Sequence, residues 1–308
     1  MKNNKKNTIS NRIAEPRQDK VLQAVNTVIL LLLVVILAYP LYFVIIASIS
    51  KPSAVNAGDV LLFPKGFVIG GYKRMLEHKD VINGAKNTII VTVVATSMNV
   101  FLTMLGAYAT SIKFPGKGIV MKLITFTMFF GAGMIPNYLL MQGLGLLDTR
   151  WALILPGMIS VYNLTVTRTF IKGNIPNELR EAAQLDGCGH FRFFFSIVWP
   201  LCGSIIAIIT LFYASGHWNS YMSAVLYIRD RSLFPLQMIM REILISNQIQ
   251  AKDMALNAAD LEMMASLQEA ADSMKYALII ITTAPMMVAY PFVQKYFVKG
   301  VTLGSVKG

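Results

Sequence analysis

The chain has 308 residues, of which 55% are hydrophobic and only 14% are charged, and its mean hydropathy is +0.55. A soluble globular domain usually carries about 25% charged residues, so this composition excludes that class and indicates an integral membrane protein. The net charge of +12 is interpreted as a signal of membrane topology rather than as a nucleic-acid surface. Two cysteines, Cys188 and Cys202, are too few for a disulfide framework, and we expect reduced thiols.

The N-terminal segment, residues 1–21, is basic and precedes a long apolar run. A basic segment of this kind can introduce a secretory signal. The apolar run from Val21 to Ile49 is too long for that, however, and no A-x-A cleavage site follows it. We therefore expect an uncleaved first span and a cytoplasmic N-terminus.

Six apolar stretches are long enough to cross a bilayer, which takes about 20 residues. In chain order they are Leu22–Ile49 with a kink at Pro40, Thr88–Ile112, Ile119–Met141, Trp151–Ile171, Pro200–Leu226 and Met274–Phe297. Lipid cannot satisfy open backbone groups, so such spans must be helices. The sequence thus predicts an all-α, polytopic fold with six transmembrane helices in one membrane domain, residues 22–299.

Six spans place both termini on one side of the membrane. Nearly all of the net charge of +12 lies on that side, and the bias of Lys and Arg identifies it as the cytoplasm. The loop Lys113–Gly118 and residues 172–200 then also face the cytoplasm. On the other side, residues 229–273 are rich in helix formers. Their pattern leaves open both a helix lying on the bilayer and a docking surface for an external partner.

Motifs for catalysis and for metal binding are missing from the sequence. The stretch "FPGKGIV" lacks the leading Gly and the Ser or Thr that a phosphate-binding loop requires. The histidines, His78, His190 and His217, are far apart, and no nucleophile elbow is present. We therefore expect no catalytic residue, no metal site and no cofactor in this chain.

The stretch "EAAQLDGCGHFRFFFSIVWPL", residues 181–201, separates two apolar spans. Helix formers from Glu178 to Asp186 follow Asn177, a candidate N-cap, and two glycines can then end the helix. Phe191, Phe193, Phe194 and Phe195 supply an apolar base that can press on the other helices, and Pro200 can open the next span. The pattern predicts helix, turn and helix; an interfacial helix without a partner remains the alternative.

The spacing in this stretch resembles the cytoplasmic signature of permease subunits in binding-protein-dependent ABC importers, which is E-A-A-x-x-x-G, nine residues, then I-x-L-P. Trp199 stands in place of the usual Leu, and Gly203 stands where a second Pro is frequent. The resemblance implies that a separate ATPase contacts the coupling segment, residues 172–200, through Glu181, Ala182, Ala183, Asp186, Gly187, Ile197 and Pro200.

The resemblance extends from about Leu22 to Gly308. The stretches "GLLDTRWALILPGMISVYNL" and "LFYASGHWNSYMSAVLYI" are similar to the carbohydrate branch of these permeases, in particular to the lipoprotein-type subgroup of maltose-importer permeases, which serves oligosaccharides in many Gram-positive bacteria. It implies the type I ABC importer fold in a bacterial plasma membrane and half of a translocation path. The implied partners are a second permease, two copies of an ATPase that bind ATP and Mg, an extracytoplasmic solute-binding lipoprotein, an oligosaccharide and membrane lipid, with no nucleic acid.

Two weaker sets of site residues follow. The C-terminal tail, residues 300–308, is similar to a tail that reaches the ATPase in the family, which points to Gly300, Gly304, Lys307 and Gly308; a frayed terminus is the alternative. Aromatic rings and amides suit the face and the hydroxyls of a pyranose, which suggests a sugar path along His217, Trp218, Asn219, Tyr221, Asn137 and Tyr138. Interfacial anchoring explains the aromatic residues equally well, and the sibling subunit can hold most sugar contacts.

Two other functions stay open on the sequence. One is the same type of permease carrying a solute that is not a sugar. The other is an ion-coupled carrier or a membrane enzyme, but carriers usually have ionisable residues inside their spans. Here the spans are nearly free of them, since Lys122 and Arg168 lie near cytoplasmic ends.

By resemblance, residues 229–273 become a docking loop for the binding protein. Which sugar is carried is left open.

Overall fold

The computed structural model describes residues 17–245 and 261–305, and the side chains through most of those two ranges. In this part of the chain every regular element is a helix, in agreement with the all-α prediction. The chain divides into two compact units, Met1–Val68 and Ile69–Gly308.

The first unit contains α1 (Arg17–Ser48) and the short α2 (Pro52–Asn56). Helix α1 continues through Pro40, where we expect a kink, as a single helix of 32 residues. The chain that follows it is held by two backbone hydrogen bonds, from Lys51 N to Lys65 O at 2.9 Å and from Val68 N to Ile49 O at 2.9 Å.

The second unit holds the remaining helices. Its first part comprises α3 (Gly70–Glu77), α4 (Lys79–Ser111), α5 (Lys117–Phe129), α6 (Met134–Gly143), α7 (Trp151–Ile154) and α8 (Val161–Asn174). Its second part comprises α9 (Asn177–Leu185), α10 (His190–Phe193), a π-helical turn (Phe194–Val198), α11 (Trp199–Leu201), α12 (Gly203–Trp218), α13 (Tyr221–Tyr227), a 3₁₀ turn (Arg231–Leu233), α14 (residues 236–245) and α15 (Leu261–Ser305).

Three helical segments of the described chain are long and apolar enough to cross a membrane: Gln18–Ser48, Lys79–Ser111 and Met274–Tyr296. Two bent pairs raise that number to five, α5 with α6 at 110° and His190–Leu201 with α12 at 82°. The predicted span Trp151–Ile171 is two helices rather than one, because residues 155–160 interrupt it and Gly157 there has φ of +71°. The count of six spans therefore stays a prediction.

Pro200 does not begin the next long helix, contrary to our expectation. It lies in α11, and the helical direction changes by 82° before α12 begins at Gly203. Proline has no N–H to donate to Ser196 one turn earlier, and the residues just before it form the π-helical turn Phe194–Val198. The following helix is accordingly shorter than predicted and ends at Trp218.

Helix α4 is the central helix of the second unit. Its first half packs in a core with α7, α13 and α14, where Met75, Leu153, Trp218, Leu236 and Leu278 are buried. Its second half packs in another core, defined here as the coupling core: Val100, Met104, Ala107, Tyr108, Ile171, Phe193, Phe194, Val198, Cys202, Ile205, Ile209 and Tyr213. Cys188 and Cys202 are both free, as expected. The coupling segment is thus joined to α4 by buried side chains.

Polar contacts fasten the start of α4 to the segment before α14. Asn87 donates from Nδ2 to Ser232 O at 2.7 Å, and its Oδ1 accepts from Arg150 Nη2 at 2.9 Å. Arg231 pairs with Asp80 at 3.0 Å and with Glu242 at 3.1 Å. Of the predicted docking loop, residues 229–273, the part at 246–260 lies outside the described residues, and the remainder is largely helical.

Asp148 joins the loop before α7 to the loop after α13, and this contact can be tested through its dependence on pH. Its backbone has φ of +57°, and its carboxylate accepts hydrogen bonds from the N–H groups of Arg229 and Asp230, which lower its pKa below the usual 3.8. A carboxyl group whose pKa is lower in the folded than in the unfolded protein stabilises the fold at pH values above the unfolded-state pKa. This stabilisation is lost as the pH falls through the folded-state pKa. The gap in Tm between the native protein and Asp148→Asn should therefore narrow between about pH 6 and about pH 3. A gap that is constant over this range contradicts the assignment.

Candidate coupling interface

Helix α9 is a short helix with none of its nine residues buried. Its N-cap position is occupied by Pro176, with φ of −61° and ψ of 147°, and not by Asn177 as predicted. Asn177 is the first helical residue, and its Oδ1 accepts a hydrogen bond from Arg180 Nη2 at 2.6 Å. The side-chain amide is thus paired with a guanidinium, which binds it more strongly than a backbone N–H does.

The end of α9 is a left-handed glycine turn. Gly187 has φ of +74°. Cys188 N donates to Ala183 O at 2.8 Å, and Gly187 N donates to Gln184 O at 3.0 Å, which is the Schellman arrangement. Gly189, by contrast, has φ of −71°, which any residue adopts. The predicted turn is confirmed, and only Gly187 requires glycine.

Three of the four phenylalanines pack on α4, as the sequence predicts. Phe193 and Phe194 are buried in the coupling core, where both rings pack on Tyr108 at centroid distances of 6.2 and 5.5 Å. Phe195 is exposed in part, but its ring stacks on Phe101 of α4 with centroids 6.4 Å apart, whereas Phe191 is exposed and the prediction is wrong for it.

The outer surface of the segment is a contiguous stretch of exposed residues. Glu181, Ala182, Asp186 and Gly187 are all exposed. Ala183 and Ile197, also predicted to contact the ATPase, are half-buried against the coupling core, whereas Pro200 is exposed. The structure thus brings four of the seven predicted coupling residues to one surface and turns two toward the protein interior.

Leu185 is a residue of this surface that the sequence reasoning missed. Its side chain is 90% exposed and lies between the polar residues Gln184 and Asp186. The available signal was a leucine between two polar residues at the end of a polar helix. An apolar side chain held in this way, beside small and charged neighbours, is typical of a surface that a partner protein covers.

The predicted sugar-path residues lie in different environments. Asn137 and Asn219 are exposed, and His217 is half-buried. Tyr138 stacks on Tyr227 with ring centroids 6.4 Å apart, and Tyr221 lies under the Arg241 guanidinium at 4.6 Å. These positions leave the path a prediction.

Trp218 is a structural residue rather than a surface one. Only 7% of it is exposed, and its Nε1 donates to Thr282 O at 2.8 Å. It packs in the core formed by α4, α7, α13 and α14. An indole enclosed in this way presents no free ring face to a sugar, so we do not retain Trp218 as a path residue.

Replacing Trp218 with alanine should destabilise the fold by about 3–5 kcal/mol, because it empties a core site and leaves the Thr282 carbonyl without its donor. Thermal unfolding in detergent, followed by aromatic fluorescence, measures the change as a lower Tm. Trp151→Ala is the matched control, since Trp151 is 48% exposed and should matter less. Equal losses in the two variants would show that burial of Trp218 is not the cause.

The predicted tail begins inside a helix. Helix α15 continues through Gly300 and Gly304 to Ser305, and Lys307 and Gly308 lie outside the described residues. Among the residues described, no group of His, Cys, Asp and Glu side chains could hold a metal ion.

Comparison with known proteins finds relatives that match most of the chain. The chain is 39% identical over 280 residues to the polygalacturonan/rhamnogalacturonan transport system permease protein YtcP of Bacillus subtilis, covering 91% of this chain and 96% of that protein. It is 37% identical to the B. subtilis protein LplC, over 87% of this chain and 89% of that protein. No family model matches the chain.

A solved structure agrees in fold. The crystal structure of a bacterial ABC transporter for import of the acidic polysaccharide alginate contains a chain that matches with a TM-score of 0.79 and 30% identity, covering 92% of this chain and 99% of that one. ATP hydrolysis in such importers lies in a separate subunit, and this chain is not an enzyme. Because sequence and fold agree, the chain belongs to the permease subunits of carbohydrate ABC importers.

Proposed function

We propose that this subunit forms half of a translocation path for an oligosaccharide and is driven by an ATPase, present in two copies, that binds α9. The observation that carries the proposal is the outer surface of α9, with Ala182, Leu185 and Gly187 exposed and with buried Phe193 and Phe194 behind it. A partner that pushes on this surface moves α4 as well, because the phenylalanines pack on Tyr108.

The substrate class rests on the relatives. Names that mention polygalacturonan, rhamnogalacturonan and alginate support an oligosaccharide as the solute. The exposed amides of Asn137 and Asn219 and the aromatic rings of Tyr138 and Tyr221 supply hydrogen bonds and ring faces of the kind that a sugar requires. His217 is a further candidate. A second permease completes the path, and an external binding lipoprotein delivers the sugar to residues 229–273.

The orientation rests on charge. An excess of Lys and Arg accompanies cytoplasmic loops, and the N-terminal segment, residues 1–21, and the loop before α5 carry such an excess. In this orientation α9 faces the ATPase, and the chain end near Gly300 and Gly304, continuing to Lys307 and Gly308, lies on the same side and contacts it.

Co-purification from the native membrane tests the proposal. A mild-detergent pull-down of the full chain, followed by mass spectrometry, should recover a second permease and a P-loop ATPase. Vesicles containing the recovered complex and the binding protein should then take up a labelled oligosaccharide only with ATP inside. Recovery of this chain alone from an intact preparation contradicts the assembly, and uptake without ATP contradicts the coupling.

A further inference from the structure

A cavity of about 240 Å³ lies between α9 and the ends of α4, α5 and α8. Its volume is far above the roughly 15 Å³ that a single water requires. Four basic residues line it, each from a different element or loop: Lys113, Lys117, Lys172 and Arg180. No aspartate or glutamate contributes to the described lining. The cavity is therefore a strongly cationic space behind the coupling surface.

The positive charge in this cavity is not neutralised by carboxylates of the described chain. The ion pairs in residues 17–245 involve Lys65 and Arg231, which are not part of the lining. Lys172, Arg180 and Lys113 all lie near enough to Lys117 to repel its charge, as does Arg168. Like charges gathered in this way destabilise the fold unless a counter-ion joins them.

Two of the basic groups are already held in position. Lys117 Nζ donates to Ser111 O at 3.0 Å and to Ile112 O at 2.7 Å, and an ammonium has a third proton to offer. Arg180 is held by its hydrogen bond to Asn177 at 2.6 Å, which uses one of five guanidinium protons. Donors that are oriented in advance and only partly used suit an anion with several oxygens.

We propose that this cavity binds a phosphate group, with the headgroup of an anionic phospholipid as the source that its lining favours. Lysine and arginine together are the side chains that bind phosphate oxygens, and basic pockets between helices at the cytoplasmic membrane surface bind lipid headgroups. Ile171, Ile175 and Pro176 line the same space, and such an apolar side suits a lipid better than a free ion. The proposal that the cavity lies at the level of the lipid headgroups rests on the proposed orientation. The proposal that it binds a phosphate group does not.

A bound phosphate links the coupling segment to the rest of the subunit. Arg180 belongs to α9, whereas Lys117 begins α5 and Lys172 lies near the end of α8. One anion that accepts hydrogen bonds from these three residues ties α9 to both helices and removes their mutual repulsion. The proposal thus makes an anionic lipid part of the support on which the coupling surface rests.

Binding to the purified importer, with its sibling permease and ATPase in neutral detergent, tests the proposal. The probes are dihexanoyl-phosphatidylglycerol, dihexanoyl-phosphatidylcholine and inorganic phosphate, and the readouts are the Tm and native mass spectrometry of bound lipid. Phosphatidylglycerol should raise the Tm saturably. In the double variant Lys113→Gln/Lys172→Gln its apparent Kd should rise about 25-fold, about fivefold for each charge removed. Lys122→Gln, which removes an exposed charge from α5 outside the cavity, is the control.

The probes separate the sources of the phosphate. Stabilisation by phosphatidylglycerol alone identifies a lipid headgroup, and stabilisation by inorganic phosphate as well identifies a site open to free phosphate; both support a phosphate site. The proposal is overturned if the double variant binds phosphatidylglycerol as tightly as the native protein, or if Lys122→Gln loses as much affinity as the double variant. It is also overturned if a carboxylate of the ATPase pairs with the basic residues of the cavity. If the double variant does not fold, Lys113→Arg/Lys172→Arg should bind phosphatidylglycerol normally, and failure to do so also overturns it. A failed coupling role appears separately, as lost ATPase co-purification with lipid binding intact.

Discussion

Replacing Gly187 with valine should reduce ATP-driven uptake by about tenfold or more while the subunit stays in the membrane. Gly187 has φ of +74°, and a side chain costs about 1–2 kcal/mol in that conformation, more for a β-branched residue. No atom lies within 4 Å of the position that its Cβ would take, so the cost is backbone strain and not a clash. The strain opens the hydrogen bonds from Gly187 and Cys188 that end α9, and the outer surface loses its shape.

The neighbouring glycine supplies a matched control for this experiment. Gly189 also has open space around it, but its φ is −71°, so Gly189→Val should leave uptake near the native level. Gly187→Asn should retain most uptake, because asparagine tolerates the left-handed region. Uptake in membrane vesicles, normalised to the amount of subunit present, is the measurement. Normal uptake by Gly187→Val would show that coupling does not require this turn.

Replacing Leu185 with glutamate should weaken the association with the ATPase by about thirtyfold or more, which is the loss of one apolar anchor of roughly 2 kcal/mol. The side chain is 90% exposed, so the substitution leaves the packing of the subunit unchanged. A charge buried at the interface without a partner adds a desolvation cost to the lost contact. Co-purified ATPase per permease and substrate-stimulated ATP hydrolysis should both fall.

Gln184→Glu is the control for charge, since it introduces the same carboxylate one residue earlier, on an exposed neighbour. It should lose much less association than Leu185→Glu, and the Tm of the isolated permease should be the same in both. If both variants lose association equally, the interface responds to charge and Leu185 is not an anchor. If neither does, α9 binds no ATPase through this residue.

Several features could be predicted from the sequence because they depend on local chemistry. The low fraction of charged residues and the long apolar runs determine an all-α membrane protein, since lipid leaves helices as the available solution for such chains. The turn after α9 was predictable because a helix that ends in a left-handed residue selects glycine there. The signature residues around Glu181 were recognisable for the same reason, since they follow one another along a single helix and turn.

Features that depend on contacts between distant residues were decided by the tertiary structure. Phe193 and Phe194 are buried and Phe191 and Phe195 are not, because only the first pair faces Tyr108 on α4. Trp218 is a core residue because the Thr282 carbonyl, 64 positions away, receives its N–H.

The helix breaks and the cationic cavity belong to the same group. Hydropathy does not register that residues 155–160 leave the helix or that the chain bends by 82° after Pro200. Lys113, Lys117, Lys172 and Arg180 are separated by up to 67 positions and come together only when α4, α5, α8 and α9 pack. The sequence by itself determined the class of protein and the local shape of the coupling helix. Packing decided which side chains face inward and where charge accumulates, because burial and electrostatic energy depend on distance in space.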